Sequence, residues 1–219
     1  GSGINDLIEI DGDLTLDGTM RITDAGGFGA GVYRLMNYGG EITDNGLDLG
    51  SLPTGFTSDD LFVQTAITGQ VNLINSAGVS LNFWDGAAGP TDDGVIQGGD
   101  GVWVGNDTSW TDADGALNGN WNEGFAVFGG ASGTVTVMGE QNFTGMQFMT
   151  DGYRLEQGTD GALRASGTTN LRVDPDVIAT IATPIVGDAT LVKVDEGTLV
   201  LEGGFGYTGG VVVNGGRLV

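Results

Sequence analysis

Short runs of alternating apolar and polar residues, bounded by glycine, recur along the chain. The pattern is G-x-Φ-x-Φ-x-G, with Φ apolar. Clean copies start at Gly12 (G-D-L-T-L-D-G), Gly133 (G-T-V-T-V-M-G), Gly161 (G-A-L-R-A-S-G) and Gly197 (G-T-L-V-L-E-G). Degraded copies start at Gly40, Gly69 and Gly99, and successive starts lie 28, 29, 30, 34, 28 and 36 residues apart. A period of two sends alternate side chains to opposite faces of a strand. Leu14 and Leu16, Val135 and Val137, and Leu199 and Leu201 are therefore expected to point into a common core, with Thr15, Thr136 and Val200 facing outward. The flanking glycines permit the positive φ that sharp corners demand. Strands in register with corners every few residues predict an all-β fold, a right-handed parallel β-helix, with rungs of roughly 20–30 residues. An antiparallel sandwich or barrel also uses short alternating strands. The near-regular recurrence, and the lack of systematic two-residue D-G or N-G hairpins, favour the solenoid. Asp174 to Thr183, with Pro175 near its start, is the one stretch that reads as a short helix.

The repeat is least regular over residues 85–123, which read as a long excursion between rungs at 4–84 and rungs at 124–219. Residues 1–3 look like a cloning remnant, and the strand pattern is still running at Leu218 and Val219, so the chain reads as a piece of a longer protein. An interrupted solenoid carries open strand edges, and end-to-end association through residues 213–219 is expected.

Composition narrows the choices. Glycine supplies 43 of 219 residues, against a usual level of roughly 7%. With 4 Pro and no three-residue period, collagen is excluded. At 39% hydrophobic residues the chain is too apolar for a disordered linker. No apolar run approaches the roughly 20 residues of a membrane helix. Cysteine is absent, which suits a chain that crosses membranes unfolded. The net charge is −22, from 29 acids against 7 bases, and no Lys or Arg falls between Arg34 and Arg154. Nucleic acid and anionic lipid need clustered cations, so neither is an expected partner.

Candidate chemistry is sparse. All four Trp, Trp84, Trp103, Trp110 and Trp121, fall in or beside the excursion, among Asp85, Asp92, Asp93, Asp100, Asp107, Asp112, Asp114 and Glu123. Trp offers a flat apolar face and Asp accepts hydrogen bonds from hydroxyls, so the four form a candidate sugar-binding face. The alternative is a satellite core beneath the excursion. Calcium is the one cofactor left open. T-D-A-D-G at 111–115 looks like the start of an EF-hand loop, but Ala116 stands where a third ligand belongs and the glycine comes at position 4 rather than 6. G-G-D-G-V-W-V from Gly98 partly mimics a calcium-binding nonapeptide, with Trp103 where its Asp would sit. With no His and no Cys, the common triads and thiol mechanisms are excluded. The adjacent carboxylates Asp59-Asp60 and Asp92-Asp93 would point to opposite faces of a strand. No enzyme is expected.

The C-terminal stretch G-T-L-V-L-E-G-G-F-G-Y-T-G-G-V-V-V-N-G-G-R-L-V resembles the passenger-associated transport repeat of bacterial autotransporters. Matching positions are Gly197, Leu199, Leu201, Gly203, Tyr207, Thr208, Gly209, Gly210, Val213, Asn214, Gly215, Gly216 and Leu218, within a repeat assigned to 188–219. Segments from Asn5, Asp24, Leu81 and Asp151 are similar to passengers of large alphaproteobacterial autotransporters. The resemblance implies a β-helical passenger on the bacterial surface, secreted through its own C-terminal outer-membrane β-barrel, with the repeat aiding secretion and folding. It also implies a role in surface display, adhesion to a host surface or glycan, or self-association. A carbohydrate-binding module on the Trp-rich excursion is the second reading, and a glycan-cleaving β-helix the third.

Overall fold

The computed structural model describes residues 6–219. The remnant expected at 1–3 lies outside the described residues. No helix occurs among the described residues, and from residue 125 the chain winds as a β-solenoid of about four turns. Each turn has three sides. The first side stacks Phe125–Phe128, Gly145–Phe148, Thr168–Val173, Thr190–Val194 and Val211–Val213. The second stacks Gly101–Trp103, Thr134–Val137, Arg154–Gln157, Ile178–Ile181, Thr198–Leu201 and Arg217–Leu218. The third stacks Glu140–Asn142, Ala162–Ala165, Ile185–Gly187 and Phe205–Tyr207. Every pairing within these stacks is parallel.

Paired positions give the turn length directly. On the first side Phe125 pairs with Gly145, Gly145 with Asn170, Thr168 with Thr190, and Leu191 with Val211, which are steps of 20, 25, 22 and 20 residues. The turns are thus shorter than the 28–36 residue spacing of the glycine-bounded motif. Copies from Gly12 and Gly40 do pair, as do those from Gly99 and Gly133. The copy at Gly161, however, forms a strand of the third side, and those at Gly133 and Gly197 lie three strands apart on the second. Any three- or four-residue strand between two glycine corners produces the motif, whichever side of the coil it occupies.

The inward positions fall where alternation places them. Val135, Val137 and Leu199 are buried in one core, and Leu201 packs against it, whereas Leu16 is buried outside that cluster and Leu14 is half-buried. Thr15 is exposed, and Thr136 and Val200 are half-buried. The short helix expected over Asp174 to Thr183 is absent. Asp174 to Val177 make a turn, with Asp176 at φ 63°, and Ile178–Ile181 is a strand. Its alternation is plain in three dimensions: Val177, Ala179 and Ile181 are buried while Ile178 faces solvent. Two neighbouring strands offer it complete ladders, through Arg154↔Thr180 and Ile178↔Thr198, which a helix could not use.

Among the described residues antiparallel pairing lies before residue 120: Trp110–Thr111 runs antiparallel to both Leu81–Trp84 and Asn118–Gly119, and the rest is in the N-terminal sheet. Strands Ile8–Ile10, Leu14–Leu16 and Thr19–Met20 pair parallel with strands near 36–49, but Gly31–Tyr38 also runs antiparallel to Gln70–Asn75, which is antiparallel to Leu61–Gln64. This small sheet covers the outer face of the solenoid's first side. Val32, Ile67, Ile74 and Ile96 meet Phe83, Phe125, Val127 and Met149 there in a second apolar cluster.

Leu81–Trp84 and Phe125–Phe128 are paired in parallel, and the stretch between them, expected as an excursion, is partly wall, since Gly101–Trp103 is the first strand of the second side. The tryptophans of this stretch fill the near end of the coil. Trp103 lies 4.9 Å from Trp110 and 4.8 Å from Trp121, and Trp110 lies 4.5 Å from Trp121, ring centre to ring centre. The column continues through Phe128, which stacks on Phe148 at 5.0 Å. A coil open at that end would leave its interior in water, and the indoles close it. Trp110→Ala is expected to cost about 3–5 kcal/mol, the usual range for emptying a buried aromatic site. Denaturant titration checks this, and a loss under about 1 kcal/mol would show that the plug is dispensable.

Candidate functional site

The four tryptophans singled out from sequence do come together, but facing inward. Trp84, Trp103, Trp110 and Trp121 are all buried, the most exposed of them at 7%. The Nε1–H of Trp84 donates to the carbonyl of Gly99 at 2.8 Å, and that of Trp121 to Asn142 at 2.7 Å. No ring face is open to a sugar, so of the two readings, binding face and buried core, the burial matches the core. It is not a separate satellite, because the indoles belong to the same apolar cluster as the solenoid interior.

The acidic residues of the excursion hold its turns. Asp85 is buried, and its carboxylate accepts from the Gln97 N–H at 2.9 Å and from Asn118 Nδ2 at 2.9 Å. Burial pushes its pKa up against those two hydrogen bonds. Asp92 and Asn118 exchange hydrogen bonds through backbone and side chain at 2.9 and 2.6 Å. Asp93 accepts from Val95 N–H and Gln97 Nε2. In T-D-A-D-G, Asp112 accepts from the Ala116 N–H at 3.0 Å, a turn-closing bond. Among the described residues no three acidic side chains converge in a way that could hold a metal ion. Asp60, of the other adjacent pair, accepts from both the backbone N–H and the hydroxyl of Thr57.

The C-terminal repeat explains its glycines. A Cβ on Gly197 would collide with the carbonyl oxygen of Asp174, on Gly203 with that of Thr183, on Gly209 with that of Ala189, and on Gly216 with that of Gly197. On Gly215 it would sit 3.0 Å from the Asp195 oxygen. Each obstacle is the corner of the preceding turn, 19–23 residues earlier. The glycines are therefore where one turn rests on another. Gly210, beside Gly209, has open space around it. Between the corners, Leu199, Leu201, Tyr207 and Leu218 pack against the main core. Thr208 and Asn214 donate their N–H groups to Gly187 and Lys193, again one turn back.

Residues 191–219 match the passenger-associated transport repeat family. Over 233 aligned positions the chain is 44% identical to the adhesin BmaC autotransporter of Brucella suis biovar 1 (strain 1330). The alignment takes in 100% of this chain and 7% of that protein. No solved structure matches.

The chain is an autotransporter passenger segment.

Two polar features of this passenger segment escaped the sequence reading. Lys193, its one lysine, is buried inside the last turns. Its ammonium donates to the carbonyls of Val194 and Asp195 at 2.7 Å and of Gly215 at 3.3 Å, and burial lowers its pKa. It ties two stacked corners together, and Asp195 takes a positive φ of 65° to bring its carbonyl inward. The second feature lies where the N-terminal sheet meets the solenoid wall. The guanidinium of Arg172 pairs with Asp195 at 2.8 Å, donates to the Ala30 carbonyl at 3.0 Å, and sits 4.5 Å from the ring centre of Tyr33. Gln147 accepts from the Val32 N–H at 2.8 Å and donates to the Val32 carbonyl at 2.9 Å, as a strand would. It also donates to Asp174 at 2.8 Å. Gly31 takes a φ of 140° at this contact, a conformation that favours glycine, and a Cβ there would also crowd the ends of Arg172 and Gln147. The signal was present in the segment from Asp24, noted only for its resemblance. Nothing in one sequence says that Tyr33 meets Arg172 across 139 positions.

Two outcomes follow from these geometries. Gly209→Ala is expected to destabilise by about 1–3 kcal/mol through overpacking, while Gly210→Ala stays within about 0.5 kcal/mol. Equal effects in denaturant titrations would contradict the resting-corner account. Burial pushes the Asp174 carboxyl up to about 6, against the pull of Arg172 and Gln147, from an ordinary 3.8. The folded chain therefore binds this proton more tightly than the unfolded chain. The stabilising contribution is complete below pH 3.8 and is lost as pH rises through about 6. The melting temperature of the parent minus that of Asp174→Asn should fall by a few degrees between pH 4 and 7. A difference that does not change with pH would contradict the assignment.

Proposed function

We propose that this segment is a display element of a surface adhesin. Its solenoid presents side walls on the bacterial exterior for adhesion or self-association, and its C-terminal repeat aids secretion and folding. The observation that carries the reading is the turn-on-turn seating of the repeat. Each 20-odd-residue turn contacts its neighbours through glycine corners, so order can spread along the coil one turn at a time. That behaviour suits a chain which is exported before it folds. An outer-membrane β-barrel later in the parent protein is the expected route out. The name of the Brucella suis relative is that of an adhesin, which supports a binding role over a catalytic one. The burial of all four tryptophans removes the ground for a sugar-binding module on the excursion.

The test is surface display of the segment within its full-length parent. Gly209→Ala should lower surface-exposed protein several-fold, as read by antibody labelling of intact cells, while Gly210→Ala leaves it unchanged. Displaying cells should also adhere to host-cell monolayers, or to one another, more than cells carrying the barrel alone. Equal display of both variants would overturn the secretion role, and equal adhesion would overturn the adhesive one.

A further inference from the structure

A groove of about 570 Å3 runs along the solenoid where the third side turns into the first. Its walls come from successive turns. Thr144 follows Glu140–Asn142 by two positions, and Ser166, Asp188 and Thr208 directly follow Ala162–Ala165, Ile185–Gly187 and Phe205–Tyr207. The pairings Asn142↔Arg164, Ala165↔Gly187 and Gly187↔Tyr207 put these four residues in one column, a turn apart. All four are exposed. Parallel strands stack at about 4.8 Å, so the column spans about 14 Å, comparable with three sugar rings in an extended chain. We propose that this column binds an extended, neutral glycan laid along the solenoid axis. The inference deepens the adhesive reading and rests on it for its setting.

The chemistry selects the ligand class. Thr144, Ser166 and Thr208 each donate and accept hydrogen bonds, Asp188 accepts, and Asn142 beside them does both. No hydrogen bond among the described residues occupies the three hydroxyls. That set matches the alternating donors and acceptors of sugar hydroxyls. A peptide strand lying along the groove fits poorly, because strand addition needs a free ladder edge and this stack has such edges only at its two ends, on Glu140–Asn142 and Phe205–Tyr207. An acidic glycan fits poorly too. Arg164, the cation at the groove, is held by both oxygens of Glu140 at 2.6 and 2.7 Å, and a chain of net charge −22 repels anions.

Calorimetric titration of the folded chain tests this with cellohexaose, chitohexaose, glucose and a heparin hexasaccharide. At least one neutral hexasaccharide should bind ten-fold or more tightly than glucose, and in preference to the heparin fragment. Ser166→Trp fills the middle of the column at an exposed position and should weaken that binding at least ten-fold with an unchanged melting curve. Thr136→Trp, on the second side, should leave it unchanged. Failure of both neutral hexasaccharides to bind at millimolar concentration, preference for heparin, or equal binding by Ser166→Trp would overturn the proposal. Cell adhesion by the same variants separates the two readings. Adhesion that survives Ser166→Trp removes the groove and keeps the adhesin, whereas glycan binding without cell adhesion keeps the groove and removes the adhesin.

Discussion

A single turn of this coil cannot stand alone. Its three short strands have backbone donors and acceptors on both edges, and an apolar interior one residue thick. Both are satisfied only when another turn lies directly above or below, at the spacing of paired strands. The other features of the chain follow from that requirement. Corners must be thin enough for the next corner to rest on them, which accounts for Gly197, Gly203, Gly209, Gly215 and Gly216 against the carbonyls of Asp174, Thr183, Ala189, Asp195 and Gly197. The interior must be filled at every level, so residues stack in columns such as Phe128 on Phe148. At its near end, four indoles belong to the same apolar cluster.

The outer wall carries the second constraint. Most solenoid faces meet water and read as polar alternation. Here the first side is covered, and its outward positions are therefore mixed. Phe125 and Val127 meet an apolar partner, whereas Gln147 and Arg172 meet the backbone of the N-terminal sheet. A buried Arg–Asp pair is weak evidence of stability taken alone, because desolvation offsets much of the attraction. Its geometry nevertheless fixes one register for the covering sheet: Arg172 reaches Ala30 while Gln147 pairs with both polar groups of Val32.

Alternation and glycine corners were enough to read the all-β solenoid, its buried Leu16, Val135, Val137 and Leu199, and the C-terminal repeat. These are local properties, and each is written in six or seven consecutive residues. The observed turns of 20–25 residues fall within the roughly 20–30 expected, but the motif spacing of 28–36 is not the turn length, because the motif marks a strand between corners and not a particular side. The short helix at Asp174 was misread because local signals, D-P-D and an apolar run, were outweighed by two waiting strand edges. Trp103 and Trp110 gave no local sign of whether they face in or out. Asp85, Arg172 and Lys193 looked like ordinary solvated charges, and only contacts across 12 to 142 positions give them their places. The polar column of Thr144, Ser166, Asp188 and Thr208 is invisible in sequence for the same reason: its period appears only once the true turn length is known.

Native-state hydrogen exchange, resolved by residue, tests the stacking requirement most directly. If turns are held by their neighbours, amides in Gly145–Phe148, Thr168–Val173 and Thr190–Val194, which have paired strands on both sides, should exchange slowest and open together. Those in Val211–Val213 and Arg217–Leu218 should exchange faster, in proportion to having a neighbour on one side only. Equal protection of the outermost and central turns would contradict the account, because it would mean that a turn is stable without the next one upon it.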